Sequence, residues 1–166
     1  MCKIGLGGSC HWCTEAIFLS LKGISSVQQG WIAATDKNAA FPEGVIVEFD
    51  PAIIPLETLV AIHLYTHSCT SAHSFREKYR SAVYVFSPQQ GDRVQTAILG
   101  LQPGFEKPII TEVLPLAGFR MNEPEYLNYY YKDPDKPFCE AYINPKLREL
   151  MDRFSTYVDS NKLSHL

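Results

Sequence analysis

The apolar run CKIGLG at residues 2–7 ends in a glycine pair, Gly7 and Gly8, and from Trp12 onward apolar side chains recur at helical spacing. A strand is thus turned by glycine directly into a helix whose face carries Trp12, Ala16, Ile17 and Leu21, with Gly23 as its stop. The same alternation continues along the chain. ISSVQQGWIA (24–33) and VIVEFD (45–50) read as strands around a loop, and Pro55–Tyr65 reads as a second helix with Pro55 near its first turn. SAVYVF (81–86) is a β-branched and aromatic strand, PQQGDRVQTAILGL (88–101) a helix and PIITEVLPL (108–116) another strand. The order βαββαβαβ predicts an α/β (α+β) fold, a single-domain two-layer sandwich with a ferredoxin-like split βαβ core. An irregular tail and the helix NPKLRELMDRFSTYV (144–158) follow it.

Size agrees with one core. The chain has 166 residues, 46% hydrophobic and 20% charged, and no repeat, low-complexity tract or linker divides it, so one domain over 1–166 is expected. A net charge of −3, with basic residues scattered, argues against a nucleic-acid partner. No apolar stretch approaches the roughly 20 residues that cross a bilayer, and no secretory leader is evident, so no membrane partner is expected and the cytoplasm is the expected location. Cys2, Cys10, Cys13, Cys69 and Cys139 make an odd number without a secretory signal, which favours reactive or buried thiols over a disulfide framework.

GLGGSCHWCTEAIF (5–18) carries the chemistry. Cys10 falls where the strand gives way to the helix, and Cys13 within the first helical turn. Free N–H groups and the helix dipole at that end stabilise a thiolate, so Cys10 is expected to have a lowered pKa. Cys-x-x-Cys on a helical turn also brings the two Cα atoms into disulfide range, roughly 4.4 to 6.8 Å, so one thiol can resolve an oxidised form of the other. Two other readings stand beside this one: two small apolar residues at a helix start, or a zinc site of Cys10, His11 and Cys13 supplemented from His63, His67, Cys69 and His73. No second Cys-x-x-Cys supports zinc, and no metal is assigned.

The stretch GGSCHWCTE resembles the signature of the peptide methionine sulfoxide reductases of the A type: a glycine pair, cysteine, phenylalanine, tryptophan and, two residues on, glutamate. EGVIVEFDP, THSCTSAHSFREKYRSAVY, ITEVLPL and YYYKDPDKPFCEAYINPKLRELMDRF are similar to further segments of that family, in the same order and over most of the chain.

The resemblance implies thiol-dependent reduction of a sulfoxide, the S-epimer of methionine sulfoxide, peptide-bound or free. Cys10 would be the nucleophile and Glu43 the proton donor, a carboxyl kept protonated by burial. On its own, Glu43 reads as a loop carboxylate in water. Trp12 would wall the pocket for the sulfur-bound methyl, and Tyr79 would hydrogen-bond the substrate. A sulfenic acid at Cys10 must then condense with a second thiol, Cys13 by preference or Cys139 on the tail, before a thioredoxin-like dithiol restores it; no cofactor is implied. Cys2 and Cys69 read as structural or incidental.

Three departures surround the implied pocket. His11 replaces the phenylalanine, Ser68 stands where the family has aspartate with Cys69 in place of proline, and the short loop between Trp31 and Glu43 has no match for a tyrosine that relatives use to hold the sulfoxide oxygen. The alternatives are a reductase of another small sulfoxide and a non-catalytic thiol- or metal-binding module.

Overall fold

A computed structural model of the chain describes residues 1–35 and 40–166. Its elements run β1 (Cys2–Gly7), α1 (His11–Leu19), β2 (Ile24–Ala34), β3 (Glu43–Phe49), α2 (Leu56–Tyr65), β4 (Ala82–Val85), α3 (Pro88–Leu101) and β5 (Glu112–Met121). The βαββαβαβ order is the expected one. Helix α1 starts one residue earlier and ends two earlier than its apolar spacing suggests, because Leu21 leaves the helix to bridge Val158.

Strand β3 lies between β1 and β2, and β1 between β3 and β4, with every pair antiparallel. The expected two-layer sandwich with a ferredoxin-like core is corrected at β5. Its first half, Glu112–Pro115, pairs parallel to β4, and its second half, Leu116–Met121, pairs antiparallel to β2, so the sheet closes on itself. The strand therefore runs to Met121 rather than stopping at Leu116.

Closure gives the sheet two apolar faces. Ile4 and Leu6, Val45, Val47 and Phe49, and Val83 and Val85 point outward, where Ala16, Ile17 and Phe18 of α1 and Leu59, Ile62 and Leu64 of α2 cover them. The alternate residues Ile32, Ile46, Ala82 and Tyr84 fill the inside, with Leu114, Leu116 and Phe119 of β5 against them. Full burial of such side chains is worth about 1.5–3 kcal/mol each, so the helices are held chiefly by this outer face. The inner space is narrow: a Cβ on Gly5 would stand 2.7 Å from both Ile32 Cδ1 and Tyr84 Cβ, so the bare backbone lets these rings and methyls meet.

The tail after β5 is built of short turns, with α4 (Tyr129–Lys132), a π-helical turn (Cys139–Ile143) and the final helix α5 (Asn144–Phe154). It returns across the start of α1. The carboxylate of Glu15 accepts N–H bonds from Asn128 (2.9 Å) and Tyr129 (3.1 Å), which anchors the tail to the helix.

Candidate active site

Gly8 makes the turn that sets the site. Its φ of +150° suits glycine, and a Cβ there would strike the ring of His67. The preceding carbonyl, Gly7 O, accepts from buried His63 Nε2 at 2.7 Å, so α2 fixes the strand end. Burial lowers His63 to about 4, which keeps it neutral at physiological pH.

Cys10 is the N-cap of α1, and its carbonyl accepts from the N–H groups of Cys13 (3.0 Å) and Thr14 (3.1 Å). Cys10 is half-buried and Cys13 buried, and the two thiols are hydrogen bonded. The expected lowering of Cys10 is reversed. Its bond to Cys13, then burial, raise it above an ordinary thiol, although a bond to His11 acts the other way. The partner bond lowers Cys13, with Lys146 assisting.

Glu43 opens β3 and is buried at 5% exposure, not in a loop facing water. Its Oε1 accepts the first free N–H of α1, that of His11, at 3.1 Å, and lies 2.7 Å from His11 Nδ1. Lys78 Nζ is 3.4 Å from the other oxygen. Burial alone would raise Glu43; the bonds and charge of His11, with Lys78, outweigh it and hold the carboxyl below its usual value. The carboxylate thus sits at a helix N-terminus where negative charge is favoured, which opposes the protonated form that burial alone would give.

His11 is 5% exposed. Burial opposes charge on the ring, but its bonds to Cys10 and Glu43 prevail and make it more basic than a free imidazole. Its other nitrogen, Nε2, meets the Asn122 amide at 3.3 Å. Among the described residues, the donors that gather as a metal-ligating group are Cys10, His11 and Glu43, within 4.8 Å of one another. Two ligands of one zinc ion stand about 3.3 Å apart, so the His11–Glu43 contact is an ion pair instead. His63 and His67 turn to Gly7 O and Ser81 Oγ and do not join the group.

Cys10 also lines a cavity of about 380 Å³, with Cys13, Ser68, Tyr79, Phe138, Tyr142 and Lys146 among others, and His11 and Glu43 are not among its lining residues. Cys10, Cys13, Ser68 and Tyr79 therefore meet there as the sequence suggests. Trp12 does not line it: its ring stacks on Tyr129 at 4.0 Å and meets the edge of Phe138 at 5.5 Å. Cys139 is fully buried, with its thiol on Asp133 O at 3.7 Å, and burial raises it.

Two residues with no sequence signal shape this cavity. Arg76 donates to four backbone carbonyls, those of Ser68, Ser71, Gly8 and Tyr79, and so ties the loop bearing Ser68 and Tyr79 to the glycine turn. Lys146 of α5 donates to Thr66 O at 2.6 Å.

The family described as "Peptide methionine sulfoxide reductase" matches residues 2–157. The peptide methionine sulfoxide reductase MsrA of Trichodesmium erythraeum is 35% identical over 173 residues, covering 95% of this chain and 98% of that protein. The solved methionine sulfoxide reductase A of Corynebacterium diphtheriae is 26% identical, with a TM-score of 0.69 over 80% of this chain and 74% of that one. The structure of Mxr1 from Saccharomyces cerevisiae in complex with Trx2 shares the fold at 22% identity and a TM-score of 0.61, over 77% and 84% of the two chains.

Proposed function

We propose, for a chain that belongs to the peptide methionine sulfoxide reductase MsrA family, that Cys10 reduces the S-epimer of methionine sulfoxide, in peptides or free. The observation that carries this reading is the thiol pair at the start of α1, which lines a cavity of about 380 Å³ and has a buried histidine and glutamate beside Cys10. Cys10 Sγ attacks the sulfoxide sulfur, Glu43 delivers the proton that makes the oxygen leave, and the sulfide departs from a cysteine sulfenic acid. Tyr79 and Ser68 are assigned to holding the substrate in the cavity that they line.

Cys13 is assigned as the thiol that resolves the sulfenic acid. It is one helical turn from Cys10 and bonded to it, whereas the Cys139 thiol is buried against Asp133 O. A thioredoxin-like dithiol is the proposed reductant, supported by the complex of yeast Mxr1 with Trx2. A second reading, reduction of another small sulfoxide, is favoured by the polar ring of His11 where the family has phenylalanine. Both epimers of free and peptide-bound methionine sulfoxide, and unrelated small sulfoxides, separate the two when assayed with thioredoxin and with dithiothreitol. Turnover of the S-epimer alone among the methionine substrates, ahead of the other sulfoxides, is expected; preference for an unrelated sulfoxide overturns the first reading.

A further inference from the structure

Among the described residues that line the cavity at Cys10, Lys146 is the one side chain with a permanent charge; no aspartate, glutamate or arginine stands there with it. It is half-buried on α5, and its Nζ makes one hydrogen bond, to Thr66 O at 2.6 Å just past the end of α2. An ammonium can donate more than once, and no carboxylate lies within ion-pair distance of this one among the described residues. Glu149, one turn further along α5, is bonded to Arg153 Nε at 3.2 Å. Donors are therefore left over on a cation that is partly out of water, a costly state that an anion relieves.

The other cations of this region are engaged. Arg76 gives its guanidinium to four backbone carbonyls, and Lys78 pairs with Glu43. Burial disfavours the ammonium form of Lys146, whereas negative charge at Cys13 and then Cys10 favours it, so the cation is within electrostatic reach of both thiols. The cavity is also small. At about 380 Å³ it is near the lower end of the roughly 300–1,000 Å³ typical of ligand sites, room for one amino acid between Cys10 and the rings of Tyr79, Phe138 and Tyr142. In a sulfoxide amino acid the α-carboxylate lies a few bonds from the sulfur, so a substrate whose sulfur reaches Cys10 keeps its carboxylate within the same cavity.

We propose that Lys146 pairs with the α-carboxylate of the substrate, so that the cavity selects a sulfoxide amino acid whose own carboxyl group is free over one joined at that carboxyl in a peptide. This rests on the reading of Cys10 as a sulfoxide reductant and narrows its substrate class. The free amino acid and a C-terminal residue share the recognised group; an internal residue presents a neutral amide there. The amide carbonyl can accept a bond from the ammonium but brings no charge, so it is held less tightly. Lys146 is thus a specificity-determining residue and takes no part in bond making.

The test uses pairs of compounds that differ in that group alone. The S-epimer of N-acetylmethionine sulfoxide and its carboxamide are compared by kcat/KM in wild type, Lys146→Met and Lys146→Arg, with free methionine-S-sulfoxide added to separate the free amino acid from a C-terminal residue. In the wild type the acid should lead the amide by at least about tenfold, through KM; Lys146→Met should abolish that lead and Lys146→Arg keep part of it. A merely structural role, through Thr66 O, would lower both rates alike and leave their ratio. Iodoacetate and iodoacetamide, mapped at Cys10, ask the same question without any sulfoxide. Both reagents meet the same thiolate, so a change in thiol acidity cancels, and the ratio of their rates should fall in Lys146→Met by a similar factor. Equal kcat/KM for acid and amide in the wild type, or ratios unchanged in Lys146→Met, overturn the carboxylate site and leave the reductase reading intact. A wild-type protein that reduces no sulfoxide overturns both.

Discussion

On one side of Cys10 stand His11, Glu43, Asn122, Gln29 and Glu15, each held by a hydrogen bond or ion pair and each at most 8% exposed. On the other side lie a second thiol, aromatic rings and an open cavity. The first side has the rigidity that directed proton movement needs, since a proton carrier must be within hydrogen-bond reach of its partners. The second has the room that a substrate and a moving disulfide need. Helix α1 separates the two functions because Cys10 and Cys13 line the cavity while His11, between them in sequence, turns to Glu43.

The largest expected effect on this division comes from Glu43→Gln. It should slow the reductive half-reaction by about 10²- to 10⁴-fold, with partial recovery toward low pH as solvent supplies the proton. A single-turnover rate equal to wild type would take the polar side out of the chemistry.

On the cavity side, Cys13→Ser should leave the first turnover intact and cut thioredoxin-driven steady-state turnover at least about tenfold, with Cys139→Ser doing less. Peptide mass mapping after one oxidising turnover checks it: a first disulfide between Cys10 and Cys139 would reverse the assignment of the resolving thiol.

Within the polar side, His11 and Glu43 act on Cys10 in opposite senses. Its thiol is raised by Cys13 and burial and lowered by His11, with Glu43 adding a further rise. Alkylation should therefore go on accelerating above about pH 8.5, where an ordinary thiol has half-ionised. At a given pH, Glu43→Gln should react faster and His11→Phe slower. Equal rates in the two variants would show that the polar side does not reach the sulfur.

Smallest in catalytic terms is Gly5→Ala, which crowds Ile32 and Tyr84 inside the closed sheet, neither of which lines the cavity. A loss of about 1–3 kcal/mol in unfolding free energy is expected, with the single-turnover rate unchanged below the melting transition. A rate that falls without loss of stability would tie the sheet interior to the site.

The strands and helices were legible because their signals are local. IGLG, VIVEF and AVYV alternate or run apolar within a few residues, and the glycine pair announces the turn at which Cys10 caps α1. Closure of the sheet was not legible: the half of β5 that pairs with β2, LAGFRM, has a weak alternation, and its partner lies more than 80 residues away by number. The site divides the same way. The Cys10–Cys13 pair follows from a helical turn, whereas His11 meets Glu43 across 32 positions and Asn122 across 111. Arg76 escaped because its partners are backbone carbonyls, which no residue type marks. Trp12 has the size for a substrate wall, but the returning tail lays Tyr129 on it. The loop expected to lack a tyrosine includes residues 36–39, which lie outside the described residues.

Central to all of this is that Cys10 takes the oxygen of a sulfoxide. Reduced protein mixed with excess methionine-S-sulfoxide peptide, without any added reductant, should yield one equivalent of the methionine peptide per chain. Mass mapping should then place the oxidised sulfur at Cys10, as sulfenic acid in Cys13→Ser and as a disulfide in the wild type. Cys10→Ser should yield none. A full equivalent from Cys10→Ser, or oxidation confined to other cysteines, would contradict it.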